Sequence, residues 1–500
     1  NTYESSGSVT FEGTKLMEGR AMTGADSFKF DIKETTEGEK NPYKYTATNT
    51  GSKINYPTIN YTLASLNKDA DGNPVPTVRT YKVTEQAFSA GGITSDPMEY
   101  EVEVTLTDNG KGVINVQKSS NATALDFTNT YSSSSKIVIS GTKTLNGREF
   151  KNGDQFTFTI SASDGTPMPS PASVTVKPTS GNTVNFNFNE ITYTQADAGK
   201  TYTYEVRETK ESIKGIEYDE TVKTVTVAVT DDGKGNLTAA IVSEKSDTVA
   251  FTNKYTAKGE VTFEGTKSID KRDLREGDIF KFDVVGDGKK WSAQNDAAGT
   301  IHYPVISYTL DDLDKDEGTG NPKQTVKTYT VTEQTTDIAG VTKSSQEYSV
   351  TVTLKDNGDG TISATSGSNA KSLDFVNTYT ATGSITFEGT KSIDGRLMKD
   401  TDIFSFEIVD QDNNKTVVTN NAAGKIDYPT ITYDQDDIGK TFTYTVTEAV
   451  TSIKGITKSD KTYKVTVKVD DNFNGTLKLT VTGDNAKALD FVNKYEAKGS

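Results

Sequence analysis

The feature that most limits how this chain can fold is a fourfold self-similarity. The stretch VTFEGTK at residues 9–15 returns as IVISGTK, VTFEGTK and ITFEGTK, ending at Lys143, Lys267 and Lys391. From Lys15 onward those lysines are 128, 124 and 124 residues apart, and each repeat closes on DFTNTY, AFTNKY, DFVNTY or DFVNKY, around Asn129, Asn253, Asn377 and Asn493. A period of this length is a whole domain, not one turn of a solenoid.

Within each repeat, short runs rich in Val, Ile, Tyr, Phe and Thr alternate apolar with polar residues, as in YEVEVTLTDNGKGVINV. A period of two is the strand period, and many short strands with closely spaced turns predict a sandwich. The tips DNGKG, DDGKG, DNGDG and DNFNG faintly resemble calcium loops but lack the ligand pattern and distal Glu of an EF-hand, so they read as hairpin turns. From each Asn to the next Lys the interval is always 14 residues, leaving only short connectors. The expected architecture is all-β: four tandem immunoglobulin-like β-sandwich domains in an elongated rod, divided at 7–131, 132–255, 256–379 and 380–495. Residues 1–6, which contain NTYE, match the end of a repeat, and residues 496–500, EAKGS, match the approach to another.

Composition narrows the function classes. The net charge of −16, from 54 basic and 70 acidic residues, is spread along the chain and leaves no basic stripe for nucleic acid or an anionic membrane. With no cysteine there are no disulfides or thiolate sites, and with a single histidine, His302, no histidine triad can recur in each domain. No metal or cofactor is expected, and catalysis by turnover is not. No run of about eighteen apolar residues occurs.

What remains are three polar residues per repeat on apolar faces. Strand alternation puts Lys15 in line with Val9, Phe11 and Gly13. It likewise aligns Glu85 with Tyr81 and Val83, and Asn129 with Leu125, Phe127 and Tyr131. The corresponding glutamates are Glu208, Glu333 and Glu448, with Glu205 and Glu211 as competitors in the second repeat that parity disfavours. From Glu to Asn is 44, 45, 44 and 45 residues, whereas Lys to Glu varies from 57 to 70, so length changes fall in the first half of each repeat. A buried Lys and Glu pair seldom adds net stability, because desolvation offsets attraction. Burial does favour a neutral amine and a neutral acid, and those can react: the amine attacks the Asn side chain, the acid polarises its carbonyl and ferries a proton, and ammonia leaves.

Three motifs in this order, in phase with the strands and repeated four times, resemble the streptococcal pilin isopeptide-linkage domain family, which occurs in pilins and surface adhesin stalks of Gram-positive bacteria. The resemblance covers essentially the whole chain. It implies a Lys–Asn cross-link at Lys15 and Asn129, Lys143 and Asn253, Lys267 and Asn377, and Lys391 and Asn493, assisted by Glu85, Glu208, Glu333 and Glu448. The second repeat departs most, with SGTK and VRE. The resemblance further implies a structural stalk at the bacterial surface, with signal and cell-wall anchor outside this chain, and with neighbouring domains of the same array as partners. A host-surface ligand would be reached through a tip domain outside it. The alternative reading is a ligand-binding adhesin region, most simply in the third repeat, which holds the only Trp, Trp291, and the only His.

Overall fold

The computed structural model describes residues 2–243 and 249–497; parts of both end segments, Asn1 and residues 498–500, lie outside the described residues. The chain forms two compact units, Asn1–Tyr255 and Thr256–Ser500, each holding two repeats. Every strand pairing stays within one repeat. The described residues contain strands and short 3-10 turns, with no α-helix among them. Each repeat is an immunoglobulin-like β-sandwich, and the chain is all-β.

The first repeat illustrates the layout. Its strands are β1 (Ser6–Thr10), β2 (Lys15–Glu18), β3 (Lys29–Glu34), β4 (Lys44–Thr50), β5 (Lys53–Ile54), β6 (Thr58–Thr62), β7 (Thr77–Glu85), β8 (Ser89–Ala90), β9 (Ile93–Thr94), β10 (Glu99–Asp108), β11 (Ile114–Lys118) and β12 (Phe127–Tyr131). One sheet runs β11-β10-β7-β3-β4-β5, and opposite it lie β2-β12-β9-β8 and the pair β1-β6. Alternation makes the core, since β7 buries Thr77, Arg79, Tyr81, Val83 and Glu85 on one face. Phe30 of β3 meets Phe127 of β12 across the sandwich at 5.2 Å between ring centroids. The buried Tyr81 spends its polar end on Tyr61 of β6, oxygen to oxygen 2.9 Å, and the same tyrosine pair recurs as Tyr193–Tyr204, Tyr308–Tyr329 and Tyr433–Tyr444.

Two sequence expectations need correction. Ser6 is the first residue of β1 and so belongs to the first domain, not to the preceding tail. The stretch VTFEGTK is also not one strand: β1 ends at Thr10, the chain crosses between sheets, and β2 begins at Lys15. Burial keeps alternating through the break, which is why the pattern looked continuous. Gly13 permits the crossing, because a Cβ there would lie 2.0 Å from the Leu125 carbonyl oxygen; Gly265 and Gly389 make the same approach to Leu373 and Leu489 at 2.1 Å.

Thr14 then clamps the crossing to the last strand, its amide and hydroxyl both donating to Asp126 Oδ1 at 2.6 and 2.7 Å. Thr266–Asp374 and Thr390–Asp490 repeat the clamp. In the second repeat Ala250 replaces this aspartate. There Ser140–Asn146 is a longer strand, held by ladders to Thr183–Asn187 on one side and Val249–Tyr255 on the other.

Candidate functional site: a buried Lys, Glu and Asn in each repeat

The lysine-bearing strand, second in each repeat, runs side by side and parallel with the last strand, in one register. Lys15 lies opposite Phe127, Lys143 opposite Phe251, Lys267 opposite Phe375 and Lys391 opposite Phe491. Two residues beyond each Phe, on the same face, stands the Asn. The Glu comes from the facing sheet, again in one register: Glu85 pairs with Phe30, Glu208 with Phe158, Glu333 with Phe282 and Glu448 with Phe406. The site therefore spans the sandwich, and all four lysine and all four glutamate side chains there are 0% exposed. The four asparagines are fully buried as well.

The contacts repeat with small variations. Lys15 Nζ donates to Glu85 Oε2 at 3.1 Å and to Asn129 Oδ1 at 2.5 Å, while Asn129 Nδ2 donates to Glu85 Oε1 at 2.9 Å. In the second repeat Lys143 Nζ and Asn253 Nδ2 donate to the two oxygens of Glu208, each at 2.8 Å. Lys391 and Asn493 hold Glu448 in the same way at 3.2 and 2.6 Å. In the third repeat Asn377 donates to Glu333 at 2.7 Å, but Lys267 stands 3.6 Å from the carboxylate and donates instead to the carbonyls of Ser268 and Phe375.

Of the second repeat's competing glutamates, Glu205 is exposed and paired with Arg207, and Glu211 accepts from Thr157. Neither approaches Lys143 as Glu208 does.

Two contributors were not anticipated from sequence. A backbone N–H donates to each Asn Oδ1: Asp96 at 2.9 Å, Asp219 at 2.8 Å, Ser344 at 2.7 Å and Ser459 at 2.7 Å. A backbone N–H can only donate, so it fixes the amide with its oxygen on that donor and its nitrogen on the Glu. In this arrangement the backbone donor faces the carbonyl oxygen, and the Glu faces the nitrogen. Each donor lies 11 residues after its Glu and four after a glycine, Gly92, Gly215, Gly340 or Gly455, so a constant spacing and that glycine are its signals in the sequence.

The second contributor is a phenylalanine 13 residues after each lysine. Phe28, Phe156, Phe280 and Phe404 lie under the amines with Nζ 5.1, 5.1, 4.7 and 4.7 Å from the ring centroids. They exclude water from the amine on that side.

Burial sets the protonation. Desolvation pushes Lys15, Lys143 and Lys391 below the ordinary lysine value against the pull of their glutamates. Lys267, farther from its carboxylate, is lowered to about 8, again by desolvation first. Desolvation raises Glu208 despite its bond to Lys143. Such a site holds an amine ready to release its proton and an acid placed to receive it.

In the third repeat, Trp291 is half-buried with its ring edge-on to Tyr329, 5.9 Å between centroids. The exposed His302 Nε2 lies 3.0 Å from Asp296.

Comparison with known proteins adds the family. Among solved structures, the chain is 17% identical to the major pilin T-13 of Streptococcus pyogenes, covering 50% of this chain and 98% of that one with a TM-score of 0.20. It is 13% identical to the Bacillus anthracis TIE protein, over 99% and 75% of the two chains, with a TM-score of 0.20. It is 10% identical to the pilus adhesin SpaC of Lactobacillus rhamnosus GG, over 95% and 57%, with a TM-score of 0.17. No curated protein sequence matches. The profile of the FctA family, described as the Spy0128-like isopeptide containing domain, matches four times, at residues 11–132, 139–256, 263–380 and 387–496. The chain therefore belongs to the Spy0128-like isopeptide-containing domain family, of which it carries four tandem copies.

Proposed function

We propose that each repeat forms one intramolecular amide between its Lys and its Asn, and that the four cross-linked domains serve as a load-bearing stalk at the surface of a Gram-positive bacterium. The observation that carries this reading is the Glu carboxylate bridging the Lys amine and the Asn nitrogen, inside a sealed site, in the same orientation in repeats one, two and four. The proton of the Lys ammonium passes to Glu Oε2 along the hydrogen bond already present. Lys Nζ attacks Asn Cγ, and the developing charge on Oδ1 is met by the backbone N–H. Glu then protonates Nδ2 and takes a proton from Nζ. The Cγ–Nδ2 bond breaks, ammonia leaves, and Nζ–Cγ remains. Each site reacts once, so the chain is a structural protein and not a turnover enzyme.

The functional gain is mechanical. Joining the two parallel strands removes the residues between them from the load path. The chain-entropy argument used for disulfides gives about 4.7 kcal/mol for a loop near 100 residues, and an amide is not reducible. Neighbouring domains of the array are the natural partners. Intact mass of the folded protein tests the proposal: the expected value is the sequence mass less four ammonia molecules, and the full sequence mass would overturn it.

A further inference from the structure

The hairpin tips that read as simple turns in the sequence have a second role. In the first unit, Tyr131, the last residue of β12, projects into the second repeat. Its hydroxyl donates to Asp231 Oδ1 at 2.6 Å and accepts from the Gly235 N–H at 3.0 Å, and Ser133 Oγ donates to Asp231 Oδ2 at 2.7 Å. Asp231 and Gly235 open and close the DDGKG tip. In the second unit, Tyr379 donates to Asp471 at 2.7 Å and accepts from Gly475 at 3.4 Å, the first and last residues of the DNFNG tip.

A third case lies at the start of the first repeat. Tyr3 donates to Asp108 at 3.0 Å and accepts from the Gly112 N–H at 2.9 Å, and Ser5 Oγ donates to Asp108 at 2.8 Å. Residues 1–5 carry the sequence N-T-Y-x-S, as 129–133 do. What the tip accepts is the Tyr-x-Ser segment itself.

We propose that the tip between the strands equivalent to β10 and β11 is a docking socket for the terminal tyrosine segment of the preceding repeat, and that its occupation fixes the angle between adjacent domains. The Asp supplies the acceptor and the closing Gly the donor, so the phenol is satisfied in both senses. The upstream side holds the ring, with the Arg20 guanidinium 5.0 Å over Tyr131 and that of Arg272 5.0 Å over Tyr379. The closing glycine is also required sterically: a Cβ on Gly235 would sit 2.6 Å from the Gly92 nitrogen, and one on Gly475 3.0 Å from Gly340 Cα. Two turns thus meet backbone to backbone at the joint within each unit.

The socket does not depend on the amide having formed, and its test reads something else. The chain contains no cysteine, so Glu101→Cys and Thr203→Cys, both at exposed strand positions, give two unique labelling sites in the first and second domains of the full chain. Pulsed electron paramagnetic resonance between nitroxides at these sites should give one narrow distance distribution. Tyr131→Phe and Asp231→Ala should each broaden it, and the double variant by less than the two effects added, because the Tyr131–Asp231 bond is lost in both. Gly235→Ala should displace the mean. Intact mass, read in parallel, reports the cross-links separately. An unchanged width in both single variants, with the mean unmoved in Gly235→Ala, would overturn the proposal.

Discussion

Substituting Lys267→Ala removes the nucleophile from one domain and leaves three sister domains as controls in the same molecule. The structure sets the size of the effect. Lys267 and Asn377 lie on adjacent parallel strands two positions out of step, so their backbones start only about 8 Å apart. The 110-residue interval from one to the other extends to about 360–400 Å when pulled straight. Almost all of that length is new extension. The substituted domain should also yield first, since it alone lacks a covalent tie between its two parallel strands. In single-molecule pulling from the two ends, the unsubstituted chain should show no step of this length. Only the 14-residue intervals between one cross-link and the next can lengthen, each to about 45–50 Å. The Lys267→Ala chain should show one long step. Long steps in the unsubstituted chain, or none in the variant, would refute the claim that the joined strands carry the force.

Three further outcomes follow from the site. Glu333→Gln keeps the shape of the carboxylate but cannot shuttle a proton, so the third domain should fold and stay unlinked, and the mass deficit should fall from four ammonia molecules to three. When unlinked denatured chain is refolded at different pH, the third bond should form more slowly as pH rises through about 8, because Lys267 then loses the proton it must pass to Glu333; peptide mass mapping reads the rate, and a rate still climbing at pH 9 would show that the acid needs no proton. Gly389→Ala should cost about 1–3 kcal/mol in a thermal melt and retard the fourth bond, since the added Cβ meets the Leu489 carbonyl at 2.1 Å and forces the crossing strand outward.

Much of this site was legible in the sequence because strand alternation is local and strict. A Lys, Glu or Asn in phase with Val, Phe and Tyr must point inward, and parity alone separated Glu208 from Glu205. What alternation does not encode is hydrogen bonding along the backbone. Burial alternates straight through residues 9–15, so the crossing at Glu12–Thr14 left no mark except the glycine. The N–H donors at Asp96, Asp219, Ser344 and Ser459 were invisible for the same reason, since any residue but proline supplies one. The partners of Asp231 and Asp471 lie in the preceding domain, and spacing within one repeat carries no trace of them. In the second repeat, Ala250 in place of the clamping aspartate is a visible substitution whose meaning depends on the longer Ser140–Asn146 strand that compensates it.

The parallel register of the lysine-bearing and last strands has a consequence for damage as well as for load. With the amide in place, each domain is a closed covalent ring with a short tail at either side. A protease that cuts one of its surface loops, for instance between Asn67 and Asn73, opens the ring without separating its ends, because the path from Lys15 to Asn129 still runs through the new bond. Only the short intervals between rings are points where a single cut severs the chain. At each joint within a unit, the tyrosine and its aspartate cover part of that interval.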